Sequence, residues 1–148
     1  MPAMQFDLTF DLLEACGAGD LERVEEVLQK SSPAWRNATE PSALHAAIDK
    51  GDPQIVAALL KHGAPLDVPS YFQPPLHLAV HVDLENQPLI NGRRTMGPLL
   101  MTRLLLAAGA DPAIRARDDA TAAWIARGYK CEEAAELLDN WPSSRPSE

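Results

Sequence analysis

Apolar positions in this chain come in short clusters, each closed by a small or turn-forming residue. Leu12-Leu13-Glu14-Ala15 leads to Gly19-Asp20, and Val24 with Val27-Leu28 follows. Ala43-Leu44-His45-Ala46-Ala47 leads to Gly51-Asp52, then to Ile55-Val56-Ala57-Ala58-Leu59-Leu60-Lys61-His62-Gly63-Ala64. Runs of this length and spacing predict pairs of short helices of about ten residues, too short to be stable alone in water. Gly63 follows a leucine run, where a helix end needs left-handed backbone. Ser42 and Thr121 stand where a hydroxyl can cap a helix start, and Pro75 suits a first helical turn.

The clusters repeat. Ala15, Ala47 and Ala79 lie 32 residues apart, as do Leu28 and Leu60. Pro75-Leu76-His77-Leu78-Ala79 matches Ala43-Leu44-His45-Ala46-Ala47 in the next period. The third unit then breaks step: the expected Gly falls at Asp83 and appears 14 residues late, as Gly97. Leu99 to Leu106 follow and close on Gly109-Ala110-Asp111-Pro112. A fourth unit begins at Thr121-Ala122-Ala123-Trp124-Ile125-Ala126 and continues from Glu132 to Leu138. Self-similarity at this period predicts a solenoid whose core runs from unit to unit. Small Ala15, Ala47, Ala79 and Ala126 would let neighbouring helices approach closely, with the leucines supplying the core.

These residues resemble the ankyrin repeat, whose first helix opens T-P-L-H-x-A and whose second ends L-L-x-x-G-A-D. The resemblance covers roughly residues 10–140. It implies an all-α ankyrin-repeat solenoid of stacked helix pairs with hairpin-like loops. The expected layout is one domain over residues 1–141, with units at about 7–36, 37–68, 69–115 and 116–141. Residues 83–96 are the expected insertion, and 142–148 a flexible tail. The resemblance gives His45 and His77 a structural role, bonding the backbone of the adjacent loop. Trp124 takes that place in the fourth unit.

Charge narrows the function. The 148 residues carry 13 Lys and Arg against 21 Asp and Glu, a net charge of −8. Such a balance is unsuited to a phosphate backbone or an anionic membrane surface, so neither nucleic acid nor membrane is an expected partner. No apolar run is long enough to span a bilayer, and Met1 to Phe10 has no basic residue of a signal peptide. Cys16 and Cys131 build neither a disulfide framework nor a zinc site. They read as reduced thiols, Cys16 in the core, in a cytoplasmic protein.

No motif carries chemistry. There is no nucleophile elbow, Gly-rich phosphate loop or HExxH, and the acidic pairs Asp118-Asp119 and Glu132-Glu133 suit helix N-termini. The expectation is therefore a monomeric, non-catalytic protein–protein interaction module with no metal and no cofactor. The alternatives are a dedicated inhibitor or immunity-type protein masking a basic enzyme, and, less favoured, an enzyme or small-ligand binder.

Where ankyrin repeats place groove and loop-tip residues, the contacts implied are Asp49, Lys50, Tyr71, Phe72, Gln73, His81, Arg93, Arg94, Arg117 and Tyr129. His81 is either a groove contact or a solvated side chain. Tyr71 and Phe72 are either exposed anchors or, for Phe72, packing beneath the insertion. Within the insertion Asn91-Gly92 signals a turn, and Arg93-Arg94 is the only adjacent basic pair. That segment is either a tolerated surface loop or a recognition loop.

Overall fold

A computed structural model describes residues 11–30, 43–64, 66, 74–116 and 118–141. Eight helices run through them: α1 over residues 11–18, α2 Leu21–Lys30, α3 Ala43–Lys50, α4 Pro53–Lys61, α5 Pro75–Glu85, α6 Leu100–Ala107, α7 Ala122–Gly128 and α8 Glu132–Asp139. They pair within units, α3 with α4, α5 with α6, and α7 with α8. Between units α3 packs on α5 and α5 on α7, while α2 packs on α4 and α4 on α6. The result is two parallel rows, the first helices of the units and the second helices. Ala15, Ala47, Ala79 and Ala126 are all fully buried at the seams. With Leu44, Leu59, Leu76, Leu105 and Leu138 they form one core continuous through the stack.

The turn joining two helices of a unit has a fixed chemistry. Gly19 and Gly51 adopt left-handed backbone, and Lys130 holds the same place at φ 64°. Asp20 then accepts from the Arg23 N–H at 3.2 Å, and Asp52 from the Gln54 N–H at 3.0 Å, each capping the helix that follows. Gly63 and Gly109 close second helices with positive φ, as their position after leucine runs predicts. Thr121 caps α7 through the Trp124 N–H at 3.2 Å. Pro75 lies in the first turn of α5. Ser42 lies outside the described residues.

The third unit departs from this scheme. Helix α5 does not stop at the turn position: it runs on through Asp83 to Glu85. The inserted residues then fold into a small antiparallel hairpin, β1 Leu89–Ile90 and β2 Arg93–Arg94. Asn91 at φ 54° and Gly92 at φ 79° make the two-residue turn, whose twist suits a tight hairpin. Gly97 also adopts left-handed backbone, which favours glycine. Its φ is +63°, and a Cβ there would come within 2.7 Å of the Gln87 side chain.

Buried histidine explains part of the register. The His77 Nε2–H donates to the Ala120 carbonyl at 2.7 Å, tying α5 to the loop before α7. Its Nδ1 is buried without a hydrogen-bond partner. Burial holds this imidazole below its ordinary pKa, although the Ala120 carbonyl and the nearby Asp118 favour the charged form. At the equivalent position Trp124 is exposed.

Candidate functional site

The inserted hairpin gathers most of the surface that the sequence singled out. It sits at the C-terminal end of α5, on the edge where first helices turn into second ones. Asp49 and Lys50 end α3 on that same edge, and both are exposed. In sequence Tyr71, Phe72 and Gln73 precede Pro74, the N-cap at the other end of α5. At 1.5 Å per residue, α5 separates its two ends by about 15 Å. These three residues, like Arg117, lie outside the described residues.

Arg94 is the structural centre of the site. It is half-buried, and its Nε–H donates to the Tyr129 carbonyl at 2.9 Å. Its Nη1 donates to the Gln87 carbonyl at 2.6 Å and, at 3.4 Å, to those of Leu84 and Glu85. Tyr129 is the C-cap of α7, and Leu84 and Glu85 form the last turn of α5. One guanidinium thus meets the exposed carbonyls of two helix C-termini, where a cation is favoured. The Arg94 N–H also donates to the Lys130 carbonyl at 2.8 Å, so β2 is tied to the fourth unit along its outer edge.

Tyr129 continues the network. Its ring lies 5.3 Å from the Arg94 guanidinium carbon and edge-on to His81, with ring centroids 5.4 Å apart. The Tyr129 hydroxyl and the His81 Nδ1 share a hydrogen bond of 2.7 Å. Burial lowers the His81 pKa, against a pull from Glu85 towards the charged form. Burial, with Glu85, raises that of the Tyr129 phenol, and Arg94 opposes it. His81, Arg94 and Tyr129 are therefore brought together as a half-buried platform joining α5, α7 and the hairpin.

What the platform presents is the hairpin tip. Arg93 is exposed, and so are Leu89 at 53% and Ile90 at 57%. The two adjacent arginines thus have different tasks, one anchoring and one facing solvent. Leu89 and Ile90 were missed in the sequence, although the apolar pair beside Asn91-Gly92 was a hairpin signal. Lys50 has a partly structural position, since its side chain lies over Gly19 at the neighbouring turn.

The cysteines offer no nucleophile. Cys16 and Cys131 are both buried, burial pushes the Cys16 thiol up to about 12, and it raises that of Cys131 as well. Among the described residues no cluster of three or more His, Cys, Asp or Glu could hold a metal ion. No helix among them is long and apolar enough to cross a membrane.

Stacked helix pairs, small residues at the seams and the His77 bond to the next unit's loop define a helical repeat array. A family model described as ankyrin repeats, in three copies, matches residues 12–88, over half of the chain. The chain belongs to the ankyrin-repeat family. The matched stretch ends at the start of the inserted hairpin, and the fourth unit extends the stack beyond it. Comparison with curated proteins gave no match. Ankyrin repeats are generally non-catalytic protein–protein interaction modules.

Proposed function

We propose that this protein binds a protein partner along its turn edge and concave face, with the inserted hairpin as the principal contact. The observation that carries this reading is the hairpin tip: exposed Leu89, Ile90 and Arg93 held on a base fixed by Arg94. Exposed apolar side chains on a rigid base lose little conformational entropy on binding. Asp49 and Lys50 flank the tip along the same edge, and His81 and Tyr129 hold its base in place. The same reading takes in Tyr71, Phe72, Gln73 and Arg117 as further contacts.

The test is comparative capture. Immobilised wild-type chain is set beside Arg93→Glu and beside Asp49→Arg with Lys50→Glu, all at exposed positions, with circular dichroism to check that each variant is folded. A protein retained by the wild type and lost from at least one variant supports the reading. A set of captured proteins identical across all three overturns it.

A second reading is favoured by the charge of −8. A dedicated inhibitor would use its acidic surface to mask a basic enzyme, and binding would then weaken steeply as salt is raised.

A further inference from the structure

The hairpin has one covered edge and one open edge. In an antiparallel pair, successive residue pairs alternate between bonded and non-bonded. The Thr95 N–H donates to the Pro88 carbonyl at 3.1 Å, so Pro88 and Thr95 form a bonded pair. Leu89 and Arg94, the next pair in the register, are therefore a non-bonded pair. Their backbone groups turn outward. On the β2 side the Arg94 N–H meets the Lys130 carbonyl at 2.8 Å. On the β1 side no hydrogen bond to the Leu89 N–H or carbonyl occurs among the described residues.

Three exposed cations lie on or beside the insertion. Arg93 stands opposite Ile90 on one face of the hairpin. Arg103 is exposed at the base of the insert, its Nε–H donating to the Pro98 carbonyl at 3.0 Å. Lys130, exposed, supplies the carbonyl that covers β2. Among the described residues none of the three has an ion-pair partner.

We infer that β1 accepts an extended peptide as a third strand, a segment in which apolar residues alternate with carboxylates. The peptide backbone would bond the outward N–H and carbonyl of Leu89. Its apolar side chains, on one face, would cover Leu89, and its carboxylates, on the other, would meet Arg93 beside Ile90. Main-chain bonds give such strand addition its affinity, and the alternating side chains give it selectivity. This deepens the protein-binding reading and rests on it, naming the partner's local chemistry.

The probe is a fluorescein-labelled peptide of alternating Val and Glu, followed by fluorescence anisotropy on the full chain. Two companions are a Val and Lys peptide and a Val and Glu peptide with alternate backbone nitrogens methylated. Binding of the first, at least tenfold tighter than either companion and weakened by salt, is the expected result. Leu89→Pro removes the outward N–H without touching a ladder bond, and should weaken binding about tenfold, as should Arg93→Glu.

Should Leu89→Pro disturb the fold, the methylated peptide carries the backbone test alone. Equal binding of the methylated and plain peptides, equal binding of the lysine peptide, or no binding at millimolar peptide overturns strand addition. So does a concentration-dependent dimer, seen by sedimentation velocity, that Leu89→Pro abolishes, because a second copy would then hold the edge. If a captured protein is lost on Asp49→Arg with Lys50→Glu while the peptide never binds, strand addition fails and the interaction-module reading stands.

Discussion

The Asp83 carboxylate reaches Thr102 across the whole insertion, accepting from its backbone N–H and from its hydroxyl, both at 2.7 Å. Its other oxygen accepts from the Met101 N–H at 3.3 Å. Asp20 and Asp52 cap their helices from the adjacent turn, but α6 has Leu99 at its N-cap, in left-handed backbone and with no side-chain bond. Asp83 sits on α5, 19 residues before Thr102, and performs the same service from a neighbouring helix. The cap lets the unit keep its helix pairing although the usual turn has gone.

Removing this cap should cost stability. Asp83→Ala leaves the N–H groups of Met101 and Thr102 without an acceptor, a loss of about 1–2 kcal/mol. Asp83→Asn keeps an acceptor for one of them and should lie between the alanine variant and the wild type. Urea titration measures both, and a midpoint unchanged by Asp83→Ala would rule out the cap. It follows that a shortening that starts at Asp83 removes the cap with the hairpin, whereas one that starts after Glu85 keeps it.

The same residue sets a pH dependence. Burial raises the Asp83 pKa above its usual 3.8, and the bonds from Thr102 and Met101 only partly offset that. A carboxyl with a raised folded pKa binds its proton more tightly in the folded chain. Its contribution to stability is therefore greatest in acid and falls as pH rises through the carboxylate range. The stability of wild type relative to Asp83→Asn should accordingly fall between about pH 3 and pH 6. A rise over that interval in paired urea titrations would show that capping outweighs burial.

Neighbouring arginines should behave differently. Arg94→Ala strips donors from the carbonyls of Tyr129 and Gln87 and frees the hairpin from two helix ends, for a cost of about 1–3 kcal/mol. Arg93→Ala touches nothing in the fold and should change stability by less than about 0.5 kcal/mol. Thermal melts of the two variants side by side check the contrast. Equal shifts would mean that Arg94 is not the anchor.

Pro74 leaves a gap that a hydroxyl could fill. It is the N-cap of α5, makes no side-chain cap, and lies three residues before His77, whose Nδ1 is buried without a partner. Thr121 holds the corresponding place in the fourth unit and caps α7. Pro74→Thr should raise stability by about 0.5–1 kcal/mol, the capping gain exceeding the entropy lost with proline. A lower urea midpoint for this variant would contradict the expectation.

Overpacking a seam should be costly. Ala79 has no exposed surface where α5 meets its neighbours. Ala79→Leu should destabilise by about 1–3 kcal/mol, because close-packed helices must move apart to admit the larger side chain. An unchanged unfolding midpoint would place Ala79 away from the contact.

The periodic spacing of alanines, leucines and glycines determined the architecture unaided, because stacked identical units must meet through the same small residues in every period. The role of His77 and the cap at Thr121 were legible for the same reason. The site was legible only in part. Arg93 and Arg94 read as one basic pair, yet strand alternation sends neighbouring side chains to opposite faces, and strands of two residues leave no period in a sequence.

That Arg94 closes two helix ends, that His81 meets Tyr129, and that Asp83 serves α6 were decided by tertiary structure. They join residues from 9 to 48 positions apart, and the longest of these distances are set only by stacking. The open edge at Leu89 has the same origin: β2 happens to lie against Lys130, and β1 lies against nothing described.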